Sequence, residues 1–318
     1  MTDKQINAWL RRRFSPIGWL LLSYYGLMTL LTSVAIVADA AGQSLWAFAA
    51  GDFSGNLDWN RLYSNGWGYV AAIVVSAALL HAWKGSAYWK QELFKKSKPL
   101  NGNTYLCLIL FCMGAQMANS LWVTLLELLM NASGKSVMPI LESVAGSSDT
   151  FSMYLYACIL APVWEELLFR GYVLRTLHPF GKRFAVLGSA ILFGLFHGNL
   201  LQTPYAVIMG LVLGYVTVEY SVVWAILLHM FNNLVLADFL TRLTASWSEM
   251  AYGTLNLILF GGSAVLSLVI LFRKRGEIRA YRKAEWIDRR CLKCLFTNAG
   301  ILALAAVMCA GMITMFFA

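Results

Sequence analysis

Two carboxylates and a guanidinium lie inside an apolar run where the chain should cross a membrane. Residues 155–174 read LYACILAPVWEELLFRGYVL and hold Glu165, Glu166 and Arg170. An ionised side chain near a bilayer centre costs on the order of 3 kcal/mol or more. Such groups persist where they pair, line a cavity or do chemistry. Glu166 and Arg170 are four apart, share a helix face and can neutralise each other. Glu165 is turned about 100° from Glu166 and is left for another task. A structural ion pair therefore explains Glu166 and Arg170 but not Glu165. Pro162 is expected to remove the hydrogen bond to the carbonyl of Cys158 and loosen the helix there.

Two further polar pairs fall in later apolar runs: Phe193-x-x-x-His197 within FGLFHGN, and His229-x-x-x-Asn233 within LLHMFNNL, flanked by Asn232. Each pair shares a helix face. Alone, each has a bland reading. A histidine on an apolar face is more often a satisfied core residue than a catalyst, and a His–Asn pair can be interhelical hydrogen-bonding glue. Together they carry more, because two of only four histidines fall deep in spans near the charged one. At about 1.5 Å per residue, Glu165 lies roughly 13 Å from the cytoplasmic end of its span, His229 roughly 10 Å, Asn233 roughly 16 Å and His197 roughly 20 Å. Opposite helix directions bring all four into one layer between mid-bilayer and cytoplasm. A carboxylate in a dry site can act as general base on a water. One imidazole can help hold that water, and a second imidazole and a carboxamide can donate to the oxyanion of a tetrahedral intermediate. That is hydrolytic chemistry.

Helices in a bilayer must position these groups. The 318 residues are 59% hydrophobic and 13% charged, where a soluble domain carries roughly 25% charge. The expected fold is an all-α polytopic membrane protein with about nine spans: 17–38, 67–83, 105–129, 151–174, 184–200, 204–218, 222–240, 254–272 and 296–317. The sixth is short for the usual 17–25 residues, and its Gly210 and Gly214 form a GxxxG suited to close helix packing. The expected division is 1–150 for N-terminal helices of open role, 151–240 for the catalytic core in helices four to seven, and 241–318 for the last helices with a basic loop.

The net charge of +9 reflects orientation rather than nucleic-acid binding. Residues 1–15, 84–104, 170–183 and 273–295 hold 22 of the 25 Lys and Arg. The intervening loops hold only Arg61, Lys135 and Arg242. By the positive-inside rule the N-terminus is cytoplasmic and the C-terminus outside, in a multi-pass protein of the cell membrane. The 273–295 cluster is read as lying on anionic headgroups. Arg11–Arg13 before an apolar run imitates a signal peptide, but the run exceeds the roughly 7–15 residues of such a segment, so an uncleaved first span is expected. Cys107, Cys112, Cys158 and Cys309 fall in spans. Cys291 and Cys294 form a lone CxxC, two ligands where structural zinc wants four, read as reduced thiols near the headgroups and open to lipidation. Residues 42–66 and 131–148 read as external loops, and Glu127, Glu219 and Asp238 as span-end groups.

The three motifs in order, EExxxR, FxxxH and HxxxN on separate spans, resemble the CPBP (CAAX prenyl protease and bacteriocin-processing, or Abi) intramembrane endopeptidases over about Phe151 to Asn233. The stretch TPYAVIMGLVLGYVTVEYSVVWAILLHMFNN resembles that family's glycine-bearing helix and the His-Asn helix after it. The resemblance implies a membrane protease with a cavity open to cytoplasm and bilayer. By position it implies Glu165 as catalytic glutamate, His197 as the group activating the water, His229 and Asn233 as oxyanion donors, and Glu166 and Arg170 as support. It implies a membrane peptide or protein as substrate: a prenylated CaaX end, a leader peptide or another stub. Two readings of other classes compete. A non-catalytic immunity or scaffold protein would not need Glu165, His197 and His229. A proton-coupled transporter would more often show an internal repeat. No HExxH, GxSG or GxGD of other intramembrane proteases occurs. Glu165, His197 and His229 form a two-His, one-carboxylate set that zinc could accept. With Glu166 paired to Arg170, no free carboxylate remains to orient the imidazoles, so the reading without a cofactor is preferred.

Overall fold

A computed structural model describes residues 2–95, 98–145 and 150–317. All regular structure among the described residues is helical. The helices are α1 (Asp3–Ala49), α2 (Trp59–Tyr63), α3 (Trp67–Ala87), α4 (Gly102–Asn131) and α5 (Met138–Ala145). Then come α6 (Phe151–Phe180), α7 (Lys182–Phe196), α8 (Thr203–Glu219), α9 (Val222–Thr244) and α10 (Glu249–Arg273). The last three are α11 (Arg275–Ala284), α12 (Arg289–Phe296) and α13 (Ala299–Phe317).

Six helical segments among the described residues are long and apolar enough to cross a bilayer: α1, the Trp59–Lys90 segment that contains α3, α4, α6, α9 and α10. The bent pair α12–α13, with 61° between its halves, makes up to seven. The expected nine are not reached by this measure, and the reason is length. α7 and α8 have 15 and 17 residues, about 22 and 26 Å at 1.5 Å per residue, short of the roughly 30 Å hydrocarbon core. The fifth apolar run also stops early. His197 caps α7 and Gly198 takes a left-handed φ of 63°, the usual glycine exit from a helix.

The turn between α7 and α8 is satisfied from within. Asn199, 6% exposed, donates to His197 O and Gln202 Oε1 and accepts from the Gln202 amide. The Thr203 hydroxyl donates to Gly194 O and Asn199 O, and Trp122 Nε1 donates to Leu200 O. A backbone turn closed in this way can sit against protein at membrane depth, where an unsatisfied group would cost several kcal/mol.

α6 to α9 form the centre. One apolar cluster joins α6 (Phe169, Val173) and α7 (Phe184, Phe193) to α1 (Phe14, Ile17, Leu21) and α13 (Leu304). A second joins α8 (Met209, Leu213) and α9 (Ala225, Leu228) to α4 (Leu108, Cys112). Lipid tails are as apolar as leucine, so close packing rather than water exclusion holds such helices together. The GxxxG works in this sense. A Cβ on Gly210 would stand 2.8 Å from Ala190 Cα of α7, and one on Gly214 3.1 Å from Val186 Cγ1. Gly18 of α1 crosses Gly300 of α13 still more closely, with a Cβ position 2.2 Å from the Gly300 carbonyl carbon.

The basic segments meet at one end of the bundle. Arg290 pairs with Asp3 at 3.0 Å, Arg183 donates to Arg282 O and Glu285 O, and Lys98 and Lys182 both pair with Glu219. The basic 273–295 stretch is two amphipathic helices, α11 with every residue exposed or half-buried and α12 packed on α1. Cys291 and Cys294 lie on the packed face of α12, 6% and 2% exposed, with Cys294 Sγ against Asn7. Burial removes the access that lipidation needs and corrects that reading. Two loop expectations change as well. α1 continues through 42 to Ala49, ahead of the short α2, and α5 occupies part of 131–148; residues 146–149 lie outside the described residues.

Candidate active site

α6 is not a regular α-helix. It winds in π register over Leu155–Leu160 and again over Leu167–Leu174, with one α-helical stretch, Ala161–Glu166, between them. Pro162 explains the consequence. In π register each amide donates five residues back, and the Ala161 amide duly reaches Tyr156 O. The next donor would be Pro162, which has no N–H. In this register the carbonyl that Pro162 leaves without its donor is that of Ala157, where α-helical counting names Cys158. Asn233 Nδ2 of α9 supplies the missing donor at 3.0 Å.

The α-helical stretch ends in the glutamate pair, and their environments differ. The Glu166 side chain is 0% exposed and that of Glu165 21%, so only Glu165 is open to a reactant. Glu166 uses both oxygens. Oε2 stands 3.1 Å from Arg170 Nε, and Oε1 accepts from His229 Nδ1 at 3.0 Å. The Arg170 contact is close, but its N–H is not aimed at the oxygen and forms no proper hydrogen bond. It is a Coulombic pair. The guanidinium also lies 4.4 Å from the Phe193 ring centre and sends Nη2 toward Gly210 O at 3.5 Å. The close α7–α8 contact at Gly210 thus brings a backbone carbonyl within range of a fully buried charge.

His229 stands between the glutamates. Nδ1 is held by Glu166, and Nε2 lies 3.9 Å from Glu165 Oε2. The expectation that Glu166 is occupied by Arg170 alone is overturned: a carboxylate has two oxygens, and the second orients an imidazole. His197 joins from α7. Its Nδ1 lies 2.9 Å from Phe193 O, an acceptor that places the proton on Nδ1 and leaves Nε2 with a lone pair. Among the described residues no hydrogen bond or ion pair links His197 to either glutamate. Its link is the Phe193 ring, 4.8 Å from the His197 ring and 5.8 Å from that of His229, edge-on to both. Phe193 thus touches Arg170, His197 and His229.

Asn233 follows His229 by one turn, where α9 enters π register at Asn232. Its Oδ1 accepts from Asn232 Nδ2 at 3.1 Å, and Asn232 Oδ1 accepts from the Tyr205 hydroxyl of α8. Tyr205 is the participant that spacing did not reveal; its only sequence signal is a phenol in the first turn of a mostly apolar helix. Glu165, Glu166, Arg170 and His229 are therefore in mutual contact, His197 meets them across Phe193, and Asn233 is fixed to α6. As for a metal, among the described residues no three His, Cys, Asp or Glu side chains converge to hold one.

Residues 147–235 match the family model of the type II CAAX prenyl endopeptidases, described as Rce1-like. The match takes in α6 to the first residues of α9's π stretch, the helices that carry all the polar groups above, and supports the CPBP resemblance over this segment. It covers roughly a quarter of the chain. No curated protein and no solved structure matches. The segment is thus similar to CAAX-type proteases of the membrane, in a chain whose apolar helices are those of a multi-pass membrane protein.

Proposed function

We propose that the protein is an intramembrane endopeptidase that hydrolyses a peptide bond of a membrane-associated substrate at Glu165. The observation that carries this reading is the unequal glutamate pair. One carboxylate is fully buried and bound on both oxygens, while its neighbour is open and shares His229 with it, inside the segment that matches a protease family.

In the proposed reaction a water donates one hydrogen bond to Glu165 and the other to the Nε2 lone pair of His197. Glu165 takes a proton as the water oxygen attacks the scissile carbonyl. The oxyanion accepts from the Nε2–H of His229, which acts in this step as an imidazolium with its Nδ1–H held by Glu166, and from an Asn233 Nδ2–H. Glu165 then returns the proton to the leaving amine as the C–N bond breaks. Arg170 balances the charge of Glu166. As proposed, no step is routed through a metal, because Glu165 serves as base rather than ligand. Glu166 orients His229 as a carboxylate behind a metal ligand would, so the zinc alternative is an outcome of the test below.

The basic end of the bundle is proposed to face the cytoplasm and the site to open toward it. The test is purified protein in strong chelator with a panel of internally quenched peptides, prenylated CaaX-ended and unmodified leader-like. Cleavage by wild type and none by Glu165→Gln is expected. Cleavage that survives in Glu165→Gln would refute the assignment. Activity lost on zinc removal and restored on its return would refute the metal-free mechanism alone.

A further inference from the structure

A chain of hydrogen bonds runs through three helices. The Tyr205 hydroxyl of α8 donates to Asn232 Oδ1, Asn232 Nδ2 donates to Asn233 Oδ1, and Asn233 Nδ2 donates to Ala157 O of α6. Its direction is determined chemically. The Ala157 carbonyl can only accept, so the nitrogen of Asn233 must face it. The oxygen of Asn233 must then take a donor, so the nitrogen of Asn232 faces Asn233, and the oxygen of Asn232 requires a donor in turn. Tyr205 supplies that donor. A carboxamide has two N–H groups. With one on Ala157, only the second N–H of Asn233 is left to point elsewhere.

We infer that Tyr205 is a positioning residue, which holds the Asn233 oxygen in place through Asn232 so that the second amide N–H of Asn233 faces the reacting carbonyl. This deepens the peptidase reading and rests on it. Without the hydroxyl, Asn232 loses the donor that fixes its orientation. Asn232 can then flip and present its oxygen to that of Asn233, and the two oxygens repel while Ala157 O still holds the Asn233 nitrogen. The Asn233 amide is pushed out of place, and its second N–H no longer points at a developing oxyanion. Among the described residues no hydrogen bond joins this chain to Glu165 or His197, so the groups proposed to activate the water keep their partners. Asn232 is 5% exposed and lies at the start of the π stretch, so solvent is poorly placed to replace the phenol.

The experiment is a double-mutant cycle on the full-length protein in detergent, using the peptide that wild type cleaves fastest from the panel above. Removing a whole oxyanion donor lowers kcat about 10²–10³-fold, so losing its orientation in Tyr205→Phe should lower kcat about tenfold with KM within about twofold. In the Asn233→Ala background Tyr205→Phe should lower kcat no further. A merely structural tyrosine would lower kcat, abundance and melting temperature alike in both backgrounds, and that result would overturn the inference. So would an unchanged kcat in Tyr205→Phe, with the peptidase reading left standing. A wild type that cleaves no peptide in the panel would instead overturn that reading, and the inference with it. Tyr205→Gln, which restores a donor near Asn232, should recover part of the kcat.

Discussion

Two clusters of opposite charges do different work, one between α6 and α9 and one where the loop before α4 meets α7 and α8. Between α6 and α9, Glu166, Arg170 and His229 are fully or nearly sealed, with every group facing more than one partner. At the basic end of the bundle Glu219 meets Lys98 and Lys182, whose side chains are 64% and 41% exposed. The hydrogen bond and charge of Glu219 hold the Lys98 ammonium above its ordinary value, yet water and salt screen such a pair. The charges are alike and the dielectric is not. In a low-dielectric site a lost partner leaves a charge nothing else can solvate; at a surface, water replaces it. The buried cluster therefore constrains geometry, while the surface cluster only fastens loop to helix.

The widest gap between sites should appear within the glutamate pair. Glu165→Gln should lower kcat about 10³-fold or more, since a positioned acid or base contributes about 10²–10⁴, while abundance and melting temperature stay near wild type. Equal losses of activity and stability in Glu165→Gln would erase the distinction between the two glutamates. Next come Arg170→Ala and Glu166→Gln, each of which breaks a sealed pair. About 3–5 kcal/mol of stability should go, read as reduced yield and an earlier thermal transition in detergent. Glu166→Gln should also disturb activity through His229. Arg170→Ala at wild-type stability would show that the buried pair behaves like a surface one.

Phe193→Leu keeps an apolar side chain but removes the ring that Arg170, His197 and His229 share. A desolvated cation–π contact is worth about 2 kcal/mol, so a loss of about 1–3 kcal/mol is expected, with kcat falling several-fold. Thermal melts and kinetics on one preparation would check both. The smallest effect belongs to Lys98→Ala, a barely resolved shift in melting temperature that is weaker still in high salt. A Lys98→Ala loss as large as that of Arg170→Ala would overturn the contrast between the clusters.

Much was legible from residue type and spacing because a bilayer allows little choice. Backbone groups must be satisfied within the chain, so apolar runs become helices, and charges inside such runs mark a site. That logic singled out Glu165, Glu166, Arg170, His197, His229 and Asn233, paired Glu166 with Arg170, and gathered the basic segments at one end. Linear order could not decide what depends on where other helices stand. It showed that α8 is short but not that α7 ends at Phe196, because the turn at His197–Gln202 is closed by Asn199 and by Trp122 of another helix. It did not show that Glu166 reaches His229 as well as Arg170, because the second carboxylate oxygen is invisible to spacing along one helix. Nor did it reveal Tyr205, or the π register that passes the orphaned carbonyl from Cys158 to Ala157 and gives Asn233 its partner. Periodicity within a helix follows from sequence. Contacts between helices depend on crossing angle and register, and only the packed bundle sets those.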